Sequence, residues 1–177
     1  MIFRRVFWMG LMISLMLVSC KKKQSADSGN SEKEIMDKVE LLSTKYAESI
    51  AENSQVDSVK VDEVVEYDKL NYCRMMMDFL SLELSEKESD FQEARSIHDV
   101  DAMCALQENI NQIVQSQQFY SSQLQEFIKN PSEKIVLYEV TAHYYCEEDY
   151  PLPFRFFMTP DYRLYELNPL DYDFLNR

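Results

Sequence analysis

Glycine is almost absent from this chain of 177 residues. Its two glycines, Gly10 and Gly29, both stand within the first thirty residues, so residues 31–177 contain none. Phosphate-binding loops, dinucleotide-binding fingerprints and nucleophile elbows use glycine for tight turns and for close approach of the backbone to a ligand. The sequence therefore excludes each of these sites in its usual form.

Basic residues are also scarce in the same region. Residues 31–177 carry 30 acidic and 13 basic side chains, a formal net charge of −17. A field of this sign repels phosphate backbones, so we expect no nucleic-acid partner. A well-solvated surface is the simplest explanation of the charge, and a basic partner or a bound cation is the alternative.

Histidine and tryptophan are too few to suggest a catalytic or sugar-binding site. Trp8, in the N-terminal segment, is the single tryptophan, and a carbohydrate platform built on tryptophan is therefore disfavoured. The two histidines, His98 and His143, lie in no recognisable serine or cysteine nucleophile motif. We predict that the chain is not an enzyme and that it binds no cofactor.

The N-terminal segment has the pattern of an export signal. Arg4 and Arg5 precede an apolar run from Val6 to Val18. A membrane-spanning helix needs roughly 20 apolar residues, so this run is too short to span a bilayer, whereas it suits a cleavable signal peptide over residues 1–19. An uncleaved anchor is the alternative.

The last four residues of this segment, Leu17-Val18-Ser19-Cys20, resemble the lipobox of bacterial lipoproteins, in which a large apolar residue and two smaller ones precede a cysteine. The resemblance implies cleavage after Ser19 and diacylation of the Cys20 sulfur. Two acyl chains give stable membrane attachment. We therefore expect a lipid-anchored protein of the bacterial cell envelope. An ordinary secretory signal with a chance cysteine is the alternative.

A basic cluster and a polar tether follow the cysteine. Lys21, Lys22 and Lys23 would contact lipid headgroups, each contributing about 1 kcal/mol at an anionic surface. Residues 20–30 form the predicted flexible tether, which is polar and contains Gly and Ser. Lysines stand where some surface-exported lipoproteins carry an acid-rich signal, which favours a protein that faces the periplasm.

Hydrophobic periodicity predicts one α+β domain over residues 31–177. The first half has an N-terminal helix, a valine-rich strand and a long antiparallel helical hairpin. The strand is predicted over 56–67, with one face formed by Val59, Val61, Val65 and Tyr67. The first hairpin helix begins after Asp68 and is apolar nearly all round, which predicts a central position.

The second hairpin helix has Asp99 or Asp101 as its N-cap and ends at Asn130-Pro131. The polar segment 85–99 extends the first helix or turns. About three antiparallel strands of a small sheet follow, the first with Val136, Tyr138, Val140, Ala142 and Tyr144 on one face.

The densest set of metal-ligand types lies in the segment HYYCEED, with His143, Cys146, Glu147, Glu148 and Asp149. On a strand, His143 and Cys146 point to opposite faces, which leaves His143 and Glu147, aligned with Tyr145, as weak metal candidates. We predict no metal site and interpret the segment as a strand that ends in a solvated acidic turn. Asp99 and Asp101 begin like a calcium loop, but the third acidic ligand, the glycine and the terminal glutamate are missing.

Three cysteines besides Cys20 remain, namely Cys73, Cys104 and Cys146. They permit at most one internal disulfide, with three choices of pair, and the sequence does not decide among them. Buried free thiols are expected rather than any one pair. The run Met75–Met77 is expected to fill the core.

Two functions remain open. The first is an adaptor or accessory subunit of an envelope assembly that binds a protein partner through the helical hairpin or the aromatic sheet. The alternative is an acidic inhibitor or immunity-type lipoprotein that captures a basic envelope hydrolase electrostatically.

Overall fold

The computed structural model describes residues 29–51, 55–146 and 150–176. The elements are α1 (Gly29–Ile50), β1 (Ser58–Asp68), α2 (Lys69–Ser96), α3 (Val100–Lys129), β2 (Ile135–Tyr145), β3 (Leu152–Met158), β4 (Leu164–Tyr165) and a short 3₁₀ helix (Phe174–Asn176). This order confirms the predicted α+β fold class. The segment 85–96 extends the first hairpin helix. Helix α1 begins at Gly29, so it includes the last two residues of the predicted tether.

The four strands form one antiparallel sheet in the order β1-β2-β3-β4. Strands that follow one another in the chain are neighbours in the sheet. The connection from β1 to β2 contains the whole helical hairpin, so two adjacent strands are separated by about sixty residues of helix. The outermost strand, β4, pairs through two residues only.

Helix α1 covers one face of the sheet, which we call the α1 face. Val39, Ser43, Ala47 and Ala51 are buried at four-residue spacing, and the small side chains among them let the helix approach the strands closely. They pack against sheet residues that point to this face: Tyr138, Val140, Ala142, Tyr144, Phe154, Phe156 and Met158. The aromatic side chains of β2 and β3 that face α1 are therefore part of the core.

Helices α2 and α3 pack against each other and build a second apolar cluster. This cluster consists of Tyr72, Cys73, Met76, Leu80, Ile113, Tyr120, Val136, Leu137, Phe174 and Leu175. Met76 is buried, and Met75 and Met77 pack against the same cluster, which confirms the core role expected for the methionine run.

The predicted central position of α2 is wrong. Phe79 and Leu82 are 40% and 59% exposed, because α3 and the sheet cover only one side of the helix.

The predicted face of β1 is wrong beyond Val61, because the strand contains a register shift. The pairing with β2 shifts between Val61 and Glu63. An extra residue in one strand reverses the alternation of side chains beyond it. Val64 therefore joins the α1 face, and Tyr67 packs in the hairpin cluster instead of beside Val61.

A second shift, at the end of β1, explains the other misplaced residue. Tyr67 pairs with Leu137 and Asp68 pairs with Ile135, so Val136 is skipped. Val136 packs in the hairpin cluster, although the strict alternation of β2 predicted it on the α1 face with Tyr138.

The turn between α2 and α3 is fixed by hydrogen bonds at both helix ends. His98 N–H donates to Arg95 O at 3.2 Å and Asp99 N–H donates to Ala94 O at 3.0 Å, the two bonds of a Schellman motif. The Asp99 carboxylate then accepts from Ala102 N–H at 3.0 Å and caps α3. Of the two predicted caps, Asp99 is therefore the cap, and Asp101 lies in the first turn.

Within residues 29–51, 55–146 and 150–176, two non-glycine residues take the left-handed backbone conformation that glycine usually supplies. His98 follows α2 with φ 60°, and Tyr162 lies in the β3–β4 turn with φ 60°. The ring of Tyr162 lies under the Lys38 ammonium of α1, 4.3 Å from Nζ to the ring centroid. The fold thus needs left-handed positions even though residues 31–177 contain no glycine.

Replacing His98 with glycine is expected to stabilise the domain. The left-handed conformation costs a residue with a Cβ about 1 kcal/mol, and glycine does not incur this cost. His98→Gly should raise the free energy of unfolding by about 1 kcal/mol in chemical denaturation. His98→Ala, the matched control, keeps the Cβ and should give no such gain. A loss of stability in the glycine variant would contradict this account of the turn.

Candidate functional site

The second face of the sheet is divided into a covered and an uncovered half. At one end Leu137 and Phe157 pack against the helical hairpin. At the other end the strands carry polar side chains, and we call this half the open sheet face: Asp62 of β1, Thr141, His143 and Tyr145 of β2, and Arg155 of β3. Asp62 and Arg155 are exposed, and the three β2 residues are half-buried.

His143 is held between a carboxylate and a phenol on the open sheet face. Its Nδ1 lies 2.8 Å from Asp62 Oδ2, and its Nε2 lies 3.0 Å from the Tyr145 hydroxyl. The arrangement that satisfies all three groups has Nδ1–H donating to Asp62 and Nε2 accepting from Tyr145 O–H. Both ring nitrogens are therefore engaged. The predicted alignment of His143 with Tyr145 is confirmed.

A second polar group lies at the boundary between the two halves. The Tyr67 hydroxyl donates to Glu139 Oε2 at 2.6 Å, and Arg155 Nη1 donates to Glu139 Oε1 at 3.1 Å. Burial, followed by the hydrogen bond to Glu139 and its negative charge, raises the pKa of Tyr67 well above its usual range. Tyr67 therefore stays protonated and remains a donor to Glu139 at every physiological pH.

The two groups occupy separate positions along β2. His143 and Glu139 are four residues apart on β2, which places their Cα atoms about 13 Å apart. Among the described residues, no three His, Cys, Asp or Glu side chains are grouped closely enough to hold a metal ion. The geometry thus offers two separate polar groups of three side chains each.

Several predicted site residues lie outside the described part of the chain. These are Cys20, Lys21, Lys22, Lys23, Glu147, Glu148 and Asp149. Cys146 is described and half-buried just after β2. No helix in the described ranges combines the length and the apolar character that crossing a bilayer requires.

The three described cysteines form no disulfide. Cys73 is buried, as expected, and burial raises the pKa of its thiol to about 12. The expectation of a buried thiol is wrong for Cys104, which is exposed on α3. Cys104 lies in the first turns of α3, which are on the surface, whereas Cys73 lies in the part of α2 that packs in the core.

A cleft of about 470 Å³ lies where β2 begins and β3 turns into β4. Its apolar wall includes Val136, Leu164 and Phe174. Arg163 at this cleft is bonded to Asp161, with Nε 2.9 Å from Oδ2. A hydrogen bond from Thr159, together with this arginine, lowers the pKa of Asp161. The cleft therefore joins an apolar wall to an exposed ion pair between Asp161 and Arg163.

The most prominent surface is the outer half of the helical hairpin, residues 81–112, which we call the hairpin arm. Ala94 is the single buried residue in this range. From Ser81 to Ile97 the helix rises about 24 Å at 1.5 Å per residue. The arm carries eight acidic and two basic side chains. It is thus an acidic projection that contributes little to either core cluster.

Both edges of the sheet are protected against an added strand. β1 is charged along its length and irregular at Asp62, and charges and bulges on an edge block pairing. On the other side, β4 covers only Phe157 and Met158 of β3, and the uncovered part of β3 carries Pro153, which has no N–H to donate. Binding of a partner by strand addition is therefore disfavoured. The hairpin arm remains as a surface that a partner can reach.

Comparison of the chain with protein-family models, with curated proteins and with solved structures finds no match.

Removing the Tyr67 hydroxyl is expected to destabilise the fold. Glu139 is 15% exposed in its side chain and would lose its donor from β1. Tyr67→Phe should lower the free energy of unfolding by about 1.5–3 kcal/mol, the usual contribution of a hydrogen bond to a charged group. In a double-mutant cycle with Glu139→Gln, the two losses should not add. Full additivity would show that the two side chains do not interact.

Proposed function

We propose that this chain is a lipid-anchored protein of the bacterial cell envelope, attached to the membrane through Cys20 and facing the periplasm. It acts by binding a protein partner, as an adaptor or accessory subunit of an envelope assembly, and it does not catalyse a reaction. The lipobox resemblance of Leu17-Val18-Ser19-Cys20 supports the anchor. The hairpin arm supports the binding function.

The hairpin arm is the single observation on which the binding function depends. Apart from Leu84, no residue of the arm packs in either apolar cluster. Three large aliphatic side chains on this arm, Leu82, Ile97 and Val100, are more than half exposed. Helices in proteins gain most of their stability from packing of an apolar face. A two-helix projection that buries so little of its own surface is suited to contact another molecule.

The aromatic sheet is the less suitable partner surface. Tyr144, Phe154 and Phe156 belong to the cluster beneath α1 and are buried. Because these aromatic side chains are buried, they cannot contact a partner, and the hairpin arm is the better candidate for the binding surface.

The acidic character of the arm keeps the inhibitor or immunity-type alternative open. Eight acidic side chains against two basic ones in residues 81–112 favour fast, salt-sensitive association with a basic protein. An adaptor held by an apolar contact should resist salt, whereas an electrostatic inhibitor should dissociate as salt screens the charges.

The anchor is tested by Cys20→Ala. We expect this variant to leave the membrane fraction of fractionated cells, because the two acyl chains have no other attachment site. Cys104→Ala, at an exposed cysteine outside the lipobox, is the matched control and should stay with the membrane. Membrane association of the Cys20 variant would refute lipid anchoring through this residue.

The binding function is tested by affinity capture of the lipidated chain from gently solubilised envelopes. We expect a partner in stoichiometric amount, because the arm presents uncovered apolar and charged surface. A partner that survives a high-salt wash supports the adaptor, and a basic partner lost at high salt supports the inhibitor. Absence of any stoichiometric partner at both salt concentrations would refute the binding function.

A further inference from the structure

The end of the hairpin arm, residues 93–101, presents two aliphatic side chains to solvent, and we call this region the tip. Ile97 is 68% exposed and Val100 is 66% exposed. Single exposed aliphatic residues are common on protein surfaces. These two lie three positions apart on either side of one tight turn, at the point of the arm farthest along α2 from the sheet.

The tip is rigid for a surface turn. The Schellman bonds of His98 and Asp99 close α2, and the Asp99 side chain caps α3. Both aliphatic residues are β-branched, and such side chains are restricted at χ1. Little conformational entropy remains to be lost on binding, which is the property of a preformed contact.

Acidic side chains flank the aliphatic pair in the sequence. Within the tip Glu93, Asp99 and Asp101 are acidic and Arg95 is basic, and residues 84–92 of the arm add three acidic side chains and one basic one. One of the two basic residues, Lys87, is paired with Asp90 at 3.8 Å. An apolar centre within a charged rim is the usual arrangement of a protein–protein contact. The negative rim selects a positive partner.

From this arrangement we infer that the tip binds a basic protein surface with an apolar face at its centre, against which Ile97 and Val100 pack. The inference rests on the proposed binding function and names the chemistry of the partner. A second copy of the chain is disfavoured because two acidic tips repel each other. An anionic lipid surface is disfavoured for the same reason.

The test uses a probe of defined chemistry, a fluorescent amphipathic peptide of about 18 residues made of Leu and Lys, long enough for five helical turns. The full lipidated chain is held in nanodiscs of zwitterionic lipid, and binding is followed by anisotropy. The wild-type chain should bind this peptide and should not bind its Leu/Glu counterpart.

Removal of the aliphatic pair is the decisive change. Ile97→Ser with Val100→Ser should weaken binding at least about tenfold, the effect expected of central apolar anchors. Leu152→Ser with Leu164→Ser is the matched control, since these leucines are 45% and 49% exposed outside the arm. That control should bind within about twofold of wild type. Ile97→Ala with Val100→Ala is a check on folding, because alanine favours the helix. This alanine pair should weaken binding to the same extent as the serine pair.

Charge is tested separately by two pairs of equal charge change. Glu88→Gln with Glu93→Gln neutralises two exposed acids of the arm, and Glu40→Gln with Glu48→Gln neutralises two exposed acids of α1. At low salt the arm pair should weaken binding more than the α1 pair. At high salt the difference should disappear because the charges are screened.

Three outcomes would overturn the inference: an unchanged affinity for both tip pairs, an equal loss for both charge pairs, or tip-dependent binding to a second copy or to lipid vesicles. The envelope capture separates this inference from the proposed function. A native partner that the serine tip pair still retains refutes the tip alone, whereas failure of the wild-type chain to retain any partner refutes the binding function.

Discussion

The two register shifts in the β1–β2 pairing are the constraint on which the rest of the structure depends. Side chains alternate strictly along a strand, so a regular pair would give each strand one buried face from end to end. The shift near Asp62 and the skipped residue Val136 let the same two strands contribute to the cluster under α1 and to the cluster under the helical hairpin. The open sheet face lies where neither helical layer covers the strands. The Asp62–His143 contact is a direct result, because it joins the irregular segment of β1 to β2.

Features of the fold that depend on contacts between residues close in the sequence could be predicted, and features that depend on distant residues could not. The order of elements followed from periodicity within each segment, and Asp99 as a cap follows from its own position before a helix. The faces of Val65, Tyr67 and Val136 could not be predicted, because an irregular pairing depends on residues about seventy positions away. The same holds for the site: the polar alternation of Glu139, Thr141 and His143 is visible in the sequence, but their partners in β1 and β3 emerge only from the register.

The polar groups on the sheet and the exposed surface of the hairpin arm lie in different parts of the domain and have different characters. Tyr67–Glu139–Arg155 and Asp62–His143–Tyr145 satisfy one another across strands, which argues for a structural contribution from both groups. The hairpin arm has the opposite character, with charge and aliphatic surface that the domain itself does not use. In the proposed function, a sheet with helices on both sides forms a stable base, and the helical hairpin extends from it to reach a partner.

The insertion of the helical hairpin between two paired strands has a consequence for folding. β1 and β2 must find each other across a long stretch of chain, and the entropy of closing such a loop is lost before the sheet is formed. A helical hairpin forms from local contacts and returns the chain to a point near its start. Once α2 and α3 pair, the end of β1 and the start of β2 are close together. The chain that must still be closed to pair the two strands is then short. The sheet should therefore assemble after the hairpin, and the number of turns in the arm should have little influence on whether the strands meet.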